Sequence, residues 1–195
     1  MLKLIEDFPS HIMEGIQIAN ASILTKSSNE IKDVVLCGMG GSGIGAKIVS
    51  DVLLQETSCS ITTVNDYFLP GFVSKNTLVV ASSYSGNTEE TLQCLEEAAK
   101  KGAKIVCICS GGKMQQFCKQ NDYNVIIVPG GRPPRSALAY SMVQIIHVLF
   151  FNKIIASDKS HELQESIDLL KSDISQIKIK AQKLSEFLFK KVGVF

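Results

Sequence analysis

Five short apolar runs, rich in β-branched residues and separated by helix-forming stretches, constrain this chain more than any other feature. They are Val34–Cys37, Ile61–Val64, Thr77–Ala81, Lys104–Cys109 and Asn124–Val128. Several run on without polar alternation, so both faces of those strands must be covered. Helical stretches between strands of this kind predict a parallel sheet with right-handed crossovers. The expected fold class is α/β: a doubly wound, five-stranded parallel sheet flanked by helices, with further helices appended at the C-terminus.

The helical stretches follow from periodicity and punctuation. Pro9–Ser22 reads as an amphipathic helix, and Ile44–Leu54 as the helix after the first strand. Thr88–Lys101 has Asn87 as its expected cap, Glu90 three residues on, and Gly102 as its stop. A short helix is expected over Lys113–Asn121. Ser136–Phe151 carries no charge but is shorter than the roughly 20 apolar residues a membrane span needs, so a buried core helix is expected there. From Asp158 to Lys190 the pattern predicts a long charged helix or a pair of helices. Leu163, Ile167, Leu170, Ile174 and Ile177 fall on one side of it.

Composition narrows the partners. Hydrophobic residues make up 45% and charged residues 20%, ordinary globular usage. The formal charge is +1, there is no Trp, and Lys and Arg are scattered, so no nucleic-acid partner is expected. Met1–Pro9 has two acidic residues and no apolar core, unlike a signal peptide, so no membrane partner and a cytoplasmic location are expected. The six cysteines contain no Cys-x-x-Cys pair. Cys107 and Cys109 would share one face of a strand, but no nearby His completes a zinc site. Reduced, buried thiols are the expectation.

In open sheets of this type ligands bind beyond the carboxyl ends of the strands, and two loops there are built for an anion. Gly38-Met39-Gly40-Gly41-Ser42-Gly43 follows the first strand and opens a helix. Taken alone it matches a dinucleotide fingerprint, with Asp66 about 20 residues on. Ser42 instead places a hydroxyl at the point where backbone would meet an anion. A Walker-type loop is excluded, because Lys47 is followed by Ile48. After the third strand, Ser82-Ser83-Tyr84-Ser85-Gly86-Asn87-Thr88 puts Ser83, Ser85 and Thr88 around a glycine turn at a helix start. Free amides and the helix dipole favour an anion at such a place. A dinucleotide has no need of that hydroxyl cluster; a monophosphate does. Glu89 and Glu90 add negative charge to the same turn, and their side chains are expected to point away from the ligand.

Together with Pro133-Pro134-Arg135, and with Asp66-Tyr67 and Leu69-Pro70, these loops resemble the sugar isomerase (SIS) domain family, a flavodoxin-like fold. Within it they are similar to the bifunctional phosphoglucose/phosphomannose isomerases of archaeal type. The resemblance implies interconversion of glucose 6-phosphate or mannose 6-phosphate with fructose 6-phosphate, with a phosphorylated hexose as partner and no cofactor or metal. It implies that Gly41, Ser42, Ser83, Ser85 and Thr88 hold the sugar phosphate. Arg135 would be catalytic, stabilising the enediolate. A homodimer is implied too.

On this resemblance residues 1–152 form a phosphosugar-binding domain and 153–190 a helical connector, with 191–195 the start of a second domain. That second domain would supply the glutamate base and the ring-opening histidine and lysine, at positions beyond Phe195. His11 and His147 fall in helices and His161 starts a charged one; none is assigned the missing roles. Two alternatives stay open beside the isomerase: a phosphosugar-binding module without catalysis, and a dinucleotide-binding domain.

Overall fold

The computed structural model of the chain describes residues 2–189 and 191. The expected second-domain start at 191–195 falls outside the described residues apart from Lys191. The elements run α1 (Leu2–Glu6), α2 (Phe8–Ala21), β1 (Asp33–Gly38), α3 (Gly40–Val52), β2 (Ser60–Val64), β3 (Thr77–Ser82), α4 (Glu89–Lys100), β4 (Lys104–Cys109), α5 (Gly112–Asn121), β5 (Asn124–Ile127), a 3-10 turn (Pro134–Ser136), α6 (Leu138–Phe151) and α7 (Ser160–Leu188).

The β-branched runs form one five-stranded sheet in the order β2-β1-β3-β4-β5. Every pairing is parallel, with Leu36 beside Val80 and Thr63, and Val80 beside Val106. Alternate side chains of β1, β3 and β4 enter two separate cores. On one face Val34, Leu36, Leu78 and Val80 meet Ala46 and Val49 of α3 and Tyr140, Ile145 and Leu149 of α6. On the other, Val35, Cys37, Val79 and Ala81 meet Cys94 and Leu95 of α4 and Met114 and Cys118 of α5. Each fully buried Val, Leu or Ile contributes roughly 1.5–3 kcal/mol, so these two clusters carry the fold.

The five thiols of Cys37, Cys94, Cys107, Cys109 and Cys118 all lie in the second core. Burial pushes the Cys109 thiol up to about 11, which leaves it protonated at neutral pH. Among the described residues no group of three or more His, Cys, Asp or Glu side chains is placed to hold a metal ion.

Two details differ from the sequence expectation. The helix after β1 starts at Gly40 rather than Ile44, because close packing on the strand end outweighs the low helix propensity of glycine. Thr88, not Asn87, is the N-cap residue of α4. Asn87 is drawn away: its Oδ1 accepts the Lys113 amide at 3.0 Å, and its Nδ2 donates to the Ser85 carbonyl at 3.2 Å. Of the two alternatives for the C-terminal stretch, the single helix is found, with 29 residues and a length of about 43 Å at 1.5 Å per residue. Its first half is held to α2 and α6 through Leu163, Ile167 and Leu170, while Ile177 and Leu184 are exposed. The stop of α4 matches expectation, with the Gly102 and Ala103 amides closing on Ala99 and Ala98 carbonyls. Among the described residues no helix is long and apolar enough to cross a membrane.

Two histidines make stability depend on pH. Burial pushes the His11 imidazole below its ordinary value, and the nearby Arg132 cation adds to this; burial alone lowers His147. Near pH 6.5 the unfolded chain takes up protons that these folded side chains do not, so stability falls as pH drops below about 7. The urea midpoint should show that fall, and His147→Gln should flatten part of it. An identical slope in the variant would assign the dependence to other groups.

Candidate functional site

The sheet reverses its winding between β1 and β3. From β1 the chain leaves into α3 on one face, and from β3 it leaves into α4 on the other. A crevice at such a reversal is the usual ligand position in open α/β sheets. Both loops singled out in the sequence border it.

In the first loop the start of α3 lies directly on the end of β1. The Ser42 and Gly43 amides donate to the Met39 carbonyl at 3.1 and 3.2 Å. A Cβ on Gly43 would stand 2.6 Å from the Gly38 carbonyl oxygen and 2.7 Å from Asn65 Oδ1, so only bare backbone fits. Gly41 faces the loop after β5: a Cβ there would stand 3.4 Å from the Pro134 carbonyl oxygen and 3.8 Å from Arg135 Cα. Gly41 and the Arg135 backbone are thus neighbours, although they are far apart in sequence.

The loop after β3 is tied from within. Ser83 is buried, and its Oγ lies 2.8 Å from Thr88 Oγ1 and accepts the Thr88 amide at 3.4 Å. The Gly86 amide donates to the Ser83 carbonyl at 3.0 Å, and Gly86 has φ +68°. Ser85 stands exposed at the tip, where its Oγ accepts the Asn87 amide at 3.2 Å. Ser83 and Thr88 therefore form a pair at the N-terminus of α4, and Ser85 extends from them toward solvent. Glu89 and Glu90 lie on the side of the β2 loop. Burial raises the Tyr67 phenol, and the charges of Glu89, Glu90 and Asp66 raise it further.

A second interlock comes from the loop after β4. Ser110 donates its amide and its hydroxyl to the Tyr84 carbonyl at 2.9 and 2.7 Å, and the Met114 amide donates to the Gly86 carbonyl at 2.9 Å. The loop after β5 is attached in turn to Tyr84. The Tyr84 hydroxyl donates to the Pro129 carbonyl at 2.9 Å and accepts the Arg132 amide at 3.0 Å.

The two arginines of that last loop differ in surroundings. Arg135 is exposed, with no hydrogen-bond or ion-pair partner among the described residues. Arg132, which the sequence reading passed over, lies 3.5 Å from Glu14 and 5.4 Å over the Tyr140 ring, and its Nη1 is buried without a partner. Tyr140 donates its hydroxyl to Glu14 and stacks on His11 at 5.5 Å. Burial and the Glu14 carboxylate raise the Tyr140 phenol well above its ordinary value. Gly41, Ser42, Ser82, Tyr84, Tyr140 and Ser141 are among the residues lining a narrow cleft.

All six expected site residues therefore stand on the three loops at one sheet edge. Gly41 meets Arg135, Ser83 meets Thr88, and Ser42 lines the cleft beside Tyr84. His161 is elsewhere, exposed on α7 and 3.4 Å from Glu165. His147 is elsewhere too, 3.0 Å from Ser22 Oγ. Chemically, the edge offers two helix N-termini, a pair of hydroxyls and an uncommitted guanidinium. That set suits an anion with a polar body attached.

Comparison with known proteins agrees with this architecture. Residues 29–150 match the SIS domain family. A bifunctional phosphoglucose/phosphomannose isomerase of Caldicellulosiruptor bescii is 32% identical over 201 residues, covering 100% of this chain and 59% of that protein. One from Thermoplasma acidophilum is 40% identical over 144 residues, covering 74% of this chain and 42% of that protein. The chain thus spans about half the length of the curated relatives it matches. In fold it is similar to the C-terminal domain of glucosamine-fructose-6-phosphate aminotransferase from Francisella tularensis. The TM-score is 0.71 at 15% identity, over 98% of this chain and 59% of that one.

Proposed function

Because the chain belongs to the SIS domain family, we propose that its crevice holds the phosphate of a hexose phosphate. In this reading it carries the phosphate-binding part of an aldose–ketose isomerase that interconverts glucose 6-phosphate or mannose 6-phosphate with fructose 6-phosphate. Residues 1–152 are then the phosphosugar-binding domain and 153–190 a helical connector.

One observation carries the reading: the Ser83–Thr88 hydroxyl pair lies at the N-terminus of α4, on the same crevice that the Gly41–Ser42 start of α3 borders. Two positive helix ends and a set of donors favour a dianionic group more than a neutral one. Arg135, unpaired beside Gly41, supplies the cation that an enediolate needs at its oxygens. The names of the two relatives point to the same chemistry.

Binding without turnover is the second reading, and the carboxylates favour it. Isomerisation needs a base within hydrogen-bond reach of the carbon-bound proton. Glu14 is held by Tyr140 and Arg132, while Glu89 and Glu90 lie on the Tyr67 side.

Calorimetric titration with fructose 6-phosphate, followed by an isomerase assay on the same sample, separates the readings. Binding with turnover supports the first, and binding alone the second. Ser85→Ala combined with Thr88→Ala should weaken binding by a few kcal/mol at most, at about 1.5–3 kcal/mol for each charged hydrogen bond. Unchanged affinity in that folded double variant would move the phosphate elsewhere.

A further inference from the structure

Tyr84 stands between two of the residues assigned to the phosphate, yet its hydroxyl is already engaged by two backbone groups of another loop. Its bonds instead reach the other two loops of the crevice. Its carbonyl accepts both the amide and the hydroxyl of Ser110, after β4. Its hydroxyl donates to Pro129 and accepts from the Arg132 amide, at both ends of a turn after β5. Three residues further along that loop stands Arg135, whose backbone packs over Gly41. Arg135 has no partner of its own among the described residues, so its place depends on the rest of the loop, held by the Tyr84 hydroxyl and by Arg132 on Glu14 and Tyr140.

From this we infer that Tyr84 is a positioning residue: it sets the distance between the phosphate loops and the loop carrying Arg135. A phosphate fixed on one loop and a sugar carbon presented to a guanidinium on another require that distance to be constant. A misplacement of about 1 Å between such groups can cost about a hundredfold. The Tyr84 hydroxyl holds both ends of the Pro129–Arg132 segment with two hydrogen bonds, at the wall of the cleft. The inference rests on the phosphosugar reading given above.

The test is Tyr84→Phe, which removes one oxygen and keeps the ring in its place. Two probes are titrated into the unmodified chain and the variant: inorganic phosphate, and a five-carbon aldonate 5-phosphate whose carboxylate imitates the enediolate. The expected result is unchanged phosphate affinity with aldonate phosphate bound about tenfold more weakly, the scale of one hydrogen bond lost. Hydrogen exchange at the Arg132 amide should quicken by a similar factor in the variant.

Equal loss for both probes would overturn the inference, since Tyr84 would then only shape the phosphate loop. Unchanged affinity for both, or unchanged exchange at Arg132, would overturn it as well. If the unmodified chain binds neither probe, the phosphosugar reading itself fails, and the inference falls with it.

Discussion

Gly86→Ala is expected to abolish sugar-phosphate binding and to lower folding stability by about 2–4 kcal/mol. Gly86 has φ +68°, and a Cβ there would stand 1.9 Å from the Gly111 carbonyl oxygen and 2.8 Å from its carbonyl carbon. No side-chain rotation relieves a clash with backbone, so one of the two loops must move. Either movement breaks the hydrogen bond from the Met114 amide to the Gly86 carbonyl and the Ser83–Gly86 turn that present the hydroxyl pair. Gly102 provides the control. It has the same φ of +68°, but a Cβ there meets nothing within 4 Å. Gly102→Ala should therefore cost only the left-handed backbone penalty, about 1–2 kcal/mol, and leave binding intact. Urea unfolding and calorimetry of both variants isolate the clash. Equal stability losses with binding retained in both would mean that the two loops are not interlocked as described.

Arg135→Gln should produce the largest purely functional effect. The side chain is exposed and without partners among the described residues, so its removal leaves stability within about 0.5 kcal/mol. Affinity for inorganic phosphate should hold, because the hydroxyl pair and helix ends are untouched. Affinity for the aldonate 5-phosphate should fall by about tenfold to a hundredfold, the loss of a charge-assisted hydrogen bond. If the protein turns over fructose 6-phosphate, the rate should drop about a hundredfold or more, as when one donor to a developing oxyanion is lost. Tyr84→Phe is then a weaker copy of Arg135→Gln, with the same contrast between probes. Parallel losses for phosphate and aldonate in Arg135→Gln would show that this arginine serves the phosphate.

Much of the architecture was legible because strand burial leaves a compositional trace. Val34-Val35-Leu36-Cys37 and Leu78-Val79-Val80-Ala81 show no alternation because each face meets its own core. The two loops that meet at the sheet edge were legible for a similar reason, since their glycines and hydroxyls cluster where backbone segments approach closely. What could not be read depends on contacts between segments distant in sequence. Asn87 has every local qualification as a cap, but its partner is the Lys113 amide from another loop. Arg132 and Arg135 are alike in local sequence. Only the arrival of Glu14 and Tyr140 from α2 and α6 makes one an anchor and leaves the other free. Tyr84 was passed over because its bonding partners lie 26, 45 and 48 residues away.

The winding reversal also bears on how a ligand would act on the domain as a whole. The helix behind the glycine loop is bedded in one core, the helix behind the serine loop in the other, and the sheet keeps those cores apart. An anion seated between the two helix ends would be gripped from both layers at once. It would act as a rivet through the rim of the sheet, joining the two layers at the point where their helices begin.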